Sequence, residues 1–295
     1  MKRLLLRVPV LFAACDNTPL QPHPTLLVAA AEGGTVVTTL AEWQNAIANA
    51  TSGGKILVQG TIDIPGGEEV MLVRPNVTIR AATRGSGLRG VPNASGALAY
   101  CLVCLSPTAD GTTVEGLVLD GAEYVPMLAT EEDTGDLLLG VRFRHNSIVC
   151  DDPCTEHVFL ANAPGATFEN NVLLGHSIFT SIQVQNSPGA RIIGNWIEYA
   201  GRRGAIRNPD NVSPGLFVVD NTIASASAQT FSSFVGIFTR SEGSTFVNNS
   251  ILELVGGLSC RDFSVGTGTA GTGNKWVANR APVGSNPVGI CGPNP

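Results

Sequence analysis

The sequence predicts an all-β solenoid with three strands per coil, and three observations predict it. First, one phrase recurs: an apolar residue, two spacers, Asn, one spacer, then an aliphatic residue. It reads Phe143…Asn146…Ile148, Phe168…Asn171…Leu173, Ile192…Asn195…Ile197, Val218…Asn221…Ile223 and Phe246…Asn249…Ile251, with weaker copies at Val114…Leu117…Leu119 and Trp276…Asn279…Ala281. From Asn146 to Asn279 the Asn positions are separated by 25, 24, 26, 28 and 30 residues, and a fixed phrase at such a period marks a solenoid. Second, the surroundings repeat with it: Asn162-Ala-Pro-Gly-Ala166 returns as Asn186-Ser-Pro-Gly-Ala190. Third, the 295 residues are 43% hydrophobic but only 14% charged, with 34 Gly. That composition suits a long core and many β-turns.

The elements follow in order. Residues 15–34 run Pro-rich then Ala-rich without a period and read as a flexible tether. The folded domain takes 35–295. Thr38 or Thr39 caps a short helix in which Leu40, Trp43 and Ile47 recur at helical spacing, and Gly53-Gly54 stops it. Such a helix covers the first coil, which would otherwise leave its core and a sheet edge open. Lys55–Ile64, Val70–Ile79 and Ala97–Leu105 read as strands. From Thr112 onward each repeat gives a short alternating strand one (Val158-Phe-Leu160, Ile182-Gln-Val184), a turn, strand two (Thr167-Phe-Glu169, Arg191-Ile-Ile193), a tight corner holding the Asn, and strand three (Val172-Leu-Leu174, Trp196-Ile-Glu198).

The recurring Asn has an architectural job. It tolerates a left-handed corner, and a stack of inward amides can bond the coils above and below. Three strands per coil, this Asn ladder and the capping helix resemble the right-handed, single-stranded parallel β-helix of the pectate lyase-like superfamily. The resemblance covers about Gly34 to the end. It implies a fold, and a range of functions: polysaccharide lyases, glycoside hydrolases, epimerases, esterases and non-catalytic surface proteins.

The resemblance also implies that strand one and the loops leading into it form a substrate groove. Period-two alternation then sends His157, Phe159, Ser181, Gln183, Gln185, Ala205, Arg207, Phe238 and Arg240 outward. The preceding loops add Asp151, Asp152, Glu156, His176, Glu198, Tyr199, Arg202 and Arg203. Arginines in a groove suit an acidic polysaccharide, because a guanidinium grips a carboxylate in a fork. A lyase needs a carboxylate neutraliser, a base at the sugar C5 and an acid for the leaving oxygen. Arg207, His157 and His176 are the candidate catalytic groups. Gln183, Gln185, Arg202, Arg203, Arg240 and Tyr199 are the candidate substrate contacts. Ca²⁺ is the candidate cofactor, with Asp151 and Asp152 as its nearest ligands, although the calcium-ligating cluster of pectate lyases has no clear copy. A hydrolase would need paired carboxylates, for which Asp152 with Glu156 or Glu198 is the available set. The alternative is a non-catalytic adhesin or structural surface protein. The net charge of −6 argues against a nucleic-acid partner.

Residues 1–14 read as a signal peptide: Lys2 and Arg3, then a short apolar run to Ala14. Phe12-Ala13-Ala14-Cys15 resembles a bacterial lipoprotein signal, which implies lipid attachment at Cys15 and an envelope or cell-surface location. Six further cysteines remain, an even number that favours disulfides in an exported chain. Cys260 and Cys291 are about one coil apart and are expected to pair. Cys101, Cys104, Cys150 and Cys154 leave both local and cross-coil pairings open.

Overall fold

The computed structural model describes residues 33–129, 136–150, 154–175, 177–199, 203–225, 235–253 and 257–292. Short parallel strands stack into three sheets of nine, ten and eight strands, built from strands one, two and three of successive coils. The predicted solenoid is present. Its core is a set of columns in register. Val114, Phe143, Phe168, Ile192, Val218, Phe246 and Trp276 stack on strand two. Leu119, Ile148, Leu173, Ile197, Ile223 and Ile251 stack on strand three. All are buried, and burying each such side chain stabilises by roughly 1.5–3 kcal/mol. Phe246 and Trp276 lie face to face, 4.0 Å between centroids.

The Asn ladder runs up one corner of this core. Asn146, Asn171, Asn195, Asn221, Asn249 and Asn279 are all buried. Each Oδ1 from Asn171 to Asn279 accepts from the backbone N–H and the Nδ2 of the ladder Asn one coil earlier, as Asn221 does from Asn195 at 3.0 and 2.9 Å. The left-handed residue of the corner, however, is not the ladder Asn. It is the residue before it: Gly116, His145, Asn170, Gly194, Asp220, Asn248 and Ala278 all have positive φ. The corner therefore divides the work. One position supplies the backbone reversal, and the next supplies the amide.

The ends are closed as expected, with one addition. Helix α1 spans Leu40–Ala48 and buries Trp43, Ala46 and Ile47 on the first coil. Thr39 and Glu42 form a reciprocal capping box. Hydrogen bonds led by the Thr38 N–H hold the Glu42 carboxyl below its usual range. The addition is a strand at Thr35–Val37 that pairs with Lys55–Val58. At the other end Cys260 and Cys291 are bonded, with Cα atoms 6.1 Å apart. The other two disulfides take the local option, Cys101–Cys104 and Cys150–Cys154.

Candidate functional site

The outer face of strand one differs from simple alternation at its start. The ladder pairs Glu156 with Thr180 and Val158 with Ile182 but skips His157 and Ser181; it skips Ala205, Gly236 and Ser259 in the same way. His157, Ser181, Ala205 and Ser259 are wholly buried. A side chain added at Gly236 would meet Ile251 of the strand-three core. This column thus turns inward at the corner between strands three and one. Two of its members bond that corner's backbone: His157 Nε2 lies 2.7 Å from the Leu174 carbonyl, and Ser259 Oγ donates to the Val283 carbonyl at 2.5 Å. The expectation that His157, Ser181 and Ala205 share an open outer face is corrected. A kink at the skipped residue reverses their direction.

Beyond the kink the outward column is the expected one. Phe159, Gln183, Arg207, Phe238 and Arg261 are in register, one per coil. Around them the chain builds alternating cations and rings. The Arg203 guanidinium lies 4.0 Å from the Phe179 ring centroid, Arg207 5.6 Å from Phe238, Arg240 5.8 Å from Phe238 and 5.6 Å from Phe263, and Arg261 4.3 Å from Phe263. Phe238 and Phe263 meet edge to face at 5.7 Å. Gln183 Nε2 donates to Gln185 Oε1 at 3.4 Å.

Electrostatically this face is unbalanced. Among the described residues, Arg203, Arg207, Arg240 and Arg261 make no ion pair. Arg207 is held below the usual guanidinium range, first by burial and then by the neighbouring charges of Arg203 and Arg240, with Glu156 opposing. Glu156 itself opens strand one and is buried. The Nε of Arg261 is buried without a hydrogen-bond partner among the described residues. Arg261 and Phe263 were not among the sequence candidates. Their signal was available, since aligning Ile237 with Cys260 places Arg261 beside Phe238.

The N-terminal half of the same face is apolar. Cys101, Cys104, Val125, Phe159 and Ala161 cluster there, with Met71 and Tyr124 packed against them. Tyr100 stacks on Tyr124 with centroids 5.0 Å apart.

Of the remaining candidates, Cys15, Asp151, Asp152, His176 and Arg202 lie outside the described residues, as does the side chain of Tyr199. Glu198 lies on strand three, partly exposed. Among the described residues no group of three or more His, Cys, Asp or Glu is placed to hold a metal ion.

No family model matches the chain, and no curated protein matches it. Among solved structures it is similar to an alginate lyase from Paenibacillus sp. str. FPU-7, with a TM-score of 0.37 and 13% identity over 88% of this chain and 98% of that one. A likeness of that size does not bear on activity or substrate.

Proposed function

We propose that the C-terminal half of this outer face, from Gln183 to Phe263, binds an acidic polysaccharide. The observation that carries the reading is the set of guanidiniums at Arg203, Arg207, Arg240 and Arg261, where burial and then the charges of Arg203 and Arg240 disfavour charge on Arg207, and none of the four makes an ion pair among the described residues. A glycan carboxylate would relieve that repulsion and can be held by two parallel N–H···O bonds. The rings of Phe179 and Phe263 offer apolar surface beside the cations, suited to the C–H face of a sugar, and the buried ring of Phe238 backs them. Gln183 and Gln185 supply neutral groups for hydroxyls.

The same face suits β-elimination on a uronate. Arg207, in the minority neutral form that burial and then its cationic neighbours make easier to reach, takes the C5 proton. Arg203 and Arg240 hold the carboxylate and stabilise the carbanion. The bond from C4 to the leaving oxygen then breaks as the C4–C5 double bond forms, and the oxygen takes a proton from an acid. In this reading His157, buried against the Leu174 carbonyl, positions strand one rather than touching the sugar. Ca²⁺ at Asp151 and Asp152 would serve as a further carboxylate bridge. Export and attachment through a lipid on Cys15 would place the face at a cell surface. The three disulfides favour an oxidising compartment.

The test is binding of polygalacturonate, alginate and neutral dextran to the wild type and to Arg207→Ala, with unsaturated product followed by ultraviolet absorbance. Binding confined to the uronate polymers and lost in the variant supports the reading. Product that also disappears adds the lyase. Binding without product assigns a non-catalytic surface protein. Equal affinity for dextran would sink the proposal.

A further inference from the structure

The corner between strands two and three is the one that does not border the first sheet, and near its N-terminal end its regular form breaks down. Later corners have two residues, such as Gly116-Leu117 between Thr113–Glu115 and Val118–Asp120. The corner between Thr78–Ala81 and Gly87–Val91 runs from Ala82 to Ser86. The surplus residues project as a ledge. Ser86 pins its base: buried, it accepts from Gly60 N–H through Oγ at 3.1 Å and from Val118 N–H through its carbonyl at 3.0 Å. At the neighbouring corner the ladder position is Leu117 rather than Asn, and Asn146 ends the ladder by bonding the Leu117 N–H and the Val114 carbonyl.

Between ledge and corners lies a cavity of about 360 Å³, within the roughly 300–1,000 Å³ range of small-molecule sites. Its floor is apolar, presented by Val118 and backed by the buried Ala81 and Leu117. Its rim carries Arg84, Glu115, His145 and Ser147. The Arg144 guanidinium holds Glu115 at 3.0 Å. Among the described residues, Arg84, His145 and Ser147 have no side-chain hydrogen bond or ion pair. The rim therefore presents a cation, an imidazole and a hydroxyl over an apolar floor.

We infer that this cavity binds a single acidic sugar ring, with its carboxylate on Arg84 and His145, its hydroxyls on Glu115 and Ser147, and a C–H face on Val118. The site is separate from the arginine face and does not depend on it. The cavity is sized for one or two rings rather than for a running polymer, so the ligand is a free uronate or the terminal unit of a glycan.

Calorimetric titration of the full chain with D-glucuronate, its methyl glycoside and D-glucose tests the inference. Glucuronate is expected to bind and glucose to bind at least tenfold more weakly. Binding of the glycoside as well assigns a chain end, and binding of the free acid alone assigns the free sugar. Arg84→Glu, at an exposed position, is expected to weaken glucuronate at least tenfold without lowering the melting temperature. His145→Asn keeps a residue that tolerates the left-handed corner, as Asn170 and Asn248 do, and is expected to weaken it several-fold. Glucuronate binding that survives Arg207→Ala and is lost in Arg84→Glu belongs to the cavity, and binding lost only in Arg207→Ala belongs to the arginine face, so failure of the arginine face and failure of this cavity are distinguishable. Absence of glucuronate binding, equal binding of glucose, or wild-type affinity in Arg84→Glu would overturn the inference.

Discussion

The inner ladder from Asn146 to Asn279 and the outer one from Arg203 to Arg261 repeat with the same coil and resolve their polar groups in opposite ways. Inside, every amide from Asn146 to Asn249 passes its hydrogen bonds to the next coil, and the donors left over reach strand-two carbonyls such as Phe168 O and Ile192 O. Outside, the guanidiniums lie on phenylalanine rings and repel one another. A buried amide stack tolerates no unpaired member, because each orphaned group costs about 1–3 kcal/mol. A partly exposed cation stack tolerates mismatch, because solvent screens part of the repulsion. The first arrangement specifies a fold, and the second leaves free energy available to a ligand.

The sharpest way to break the comparison is Asn195→Ala. It orphans the Phe168 carbonyl and the Asn171 N–H, both served by that one side chain. A loss of about 3 kcal/mol in chemical denaturation is expected, with uronate-polymer affinity unchanged while the chain remains folded. A stability within ~0.5 kcal/mol of wild type would mean that the ladder does not hold the coils together.

Arg207→Ala should do the reverse. Polymer binding is expected to fall at least tenfold, equivalent to about 1.4 kcal/mol, with the melting temperature unchanged or raised. The sign follows from the titration. Arg207 is charged in both folded and unfolded chains at neutral pH, and its folded value is the lower one. The native state therefore bears a penalty below that folded value, which fades only as pH rises through it toward the ordinary guanidinium value. Removing the charge removes the penalty. A drop in melting temperature would show that Arg207 is structural.

The inner ladder was legible in the sequence because its hydrogen bonds demand one residue type at one spacing; nothing but Asn donates and accepts in both directions there. Gln183, Arg207, Phe238 and Arg240 were legible for a weaker reason, the alternation of a strand once its register is known. His157 was not. Its direction depends on a kink that no residue type encodes, since His, Ser, Ala, Gly and Ser occupy the skipped column. The ledge cavity was also out of reach, because Arg84, Glu115 and His145 come together only through the extra corner residues of an earlier coil.

Ionic strength separates the two ladders without a mutation. Raising salt from a low value to about 0.15 M shortens the screening length to about 8 Å. Polymer affinity should fall several-fold, while resistance to denaturant should change little. Affinity indifferent to salt would argue that the rings, not the cations, hold the glycan. A smaller effect is expected at Gln183, whose amide is neutral: Gln183→Ala should weaken binding two- to tenfold, the worth of a neutral hydrogen bond, which a competition titration resolves.

The least disruptive change lies away from both ladders. Thr39→Ala removes the side-chain half of the capping box on α1, and such caps contribute about 1 kcal/mol. In a solenoid each coil touches chiefly its neighbours, so the loss should stay at the N-terminal end. Amide exchange should quicken along α1 and Lys55–Val58, while the amides of Asn195 and Asn221 and the affinity for uronate polymers hold. Acid should produce the same local loosening in the wild type. The folded value of Glu42 is lowered from 4.5, so its contribution is complete above that unfolded value and disappears as pH falls through the folded one. If exchange quickened equally at Asn195, the coils would be coupled more tightly than nearest-neighbour contact allows. The inner ladder would then transmit strain along the whole axis instead of only fixing register.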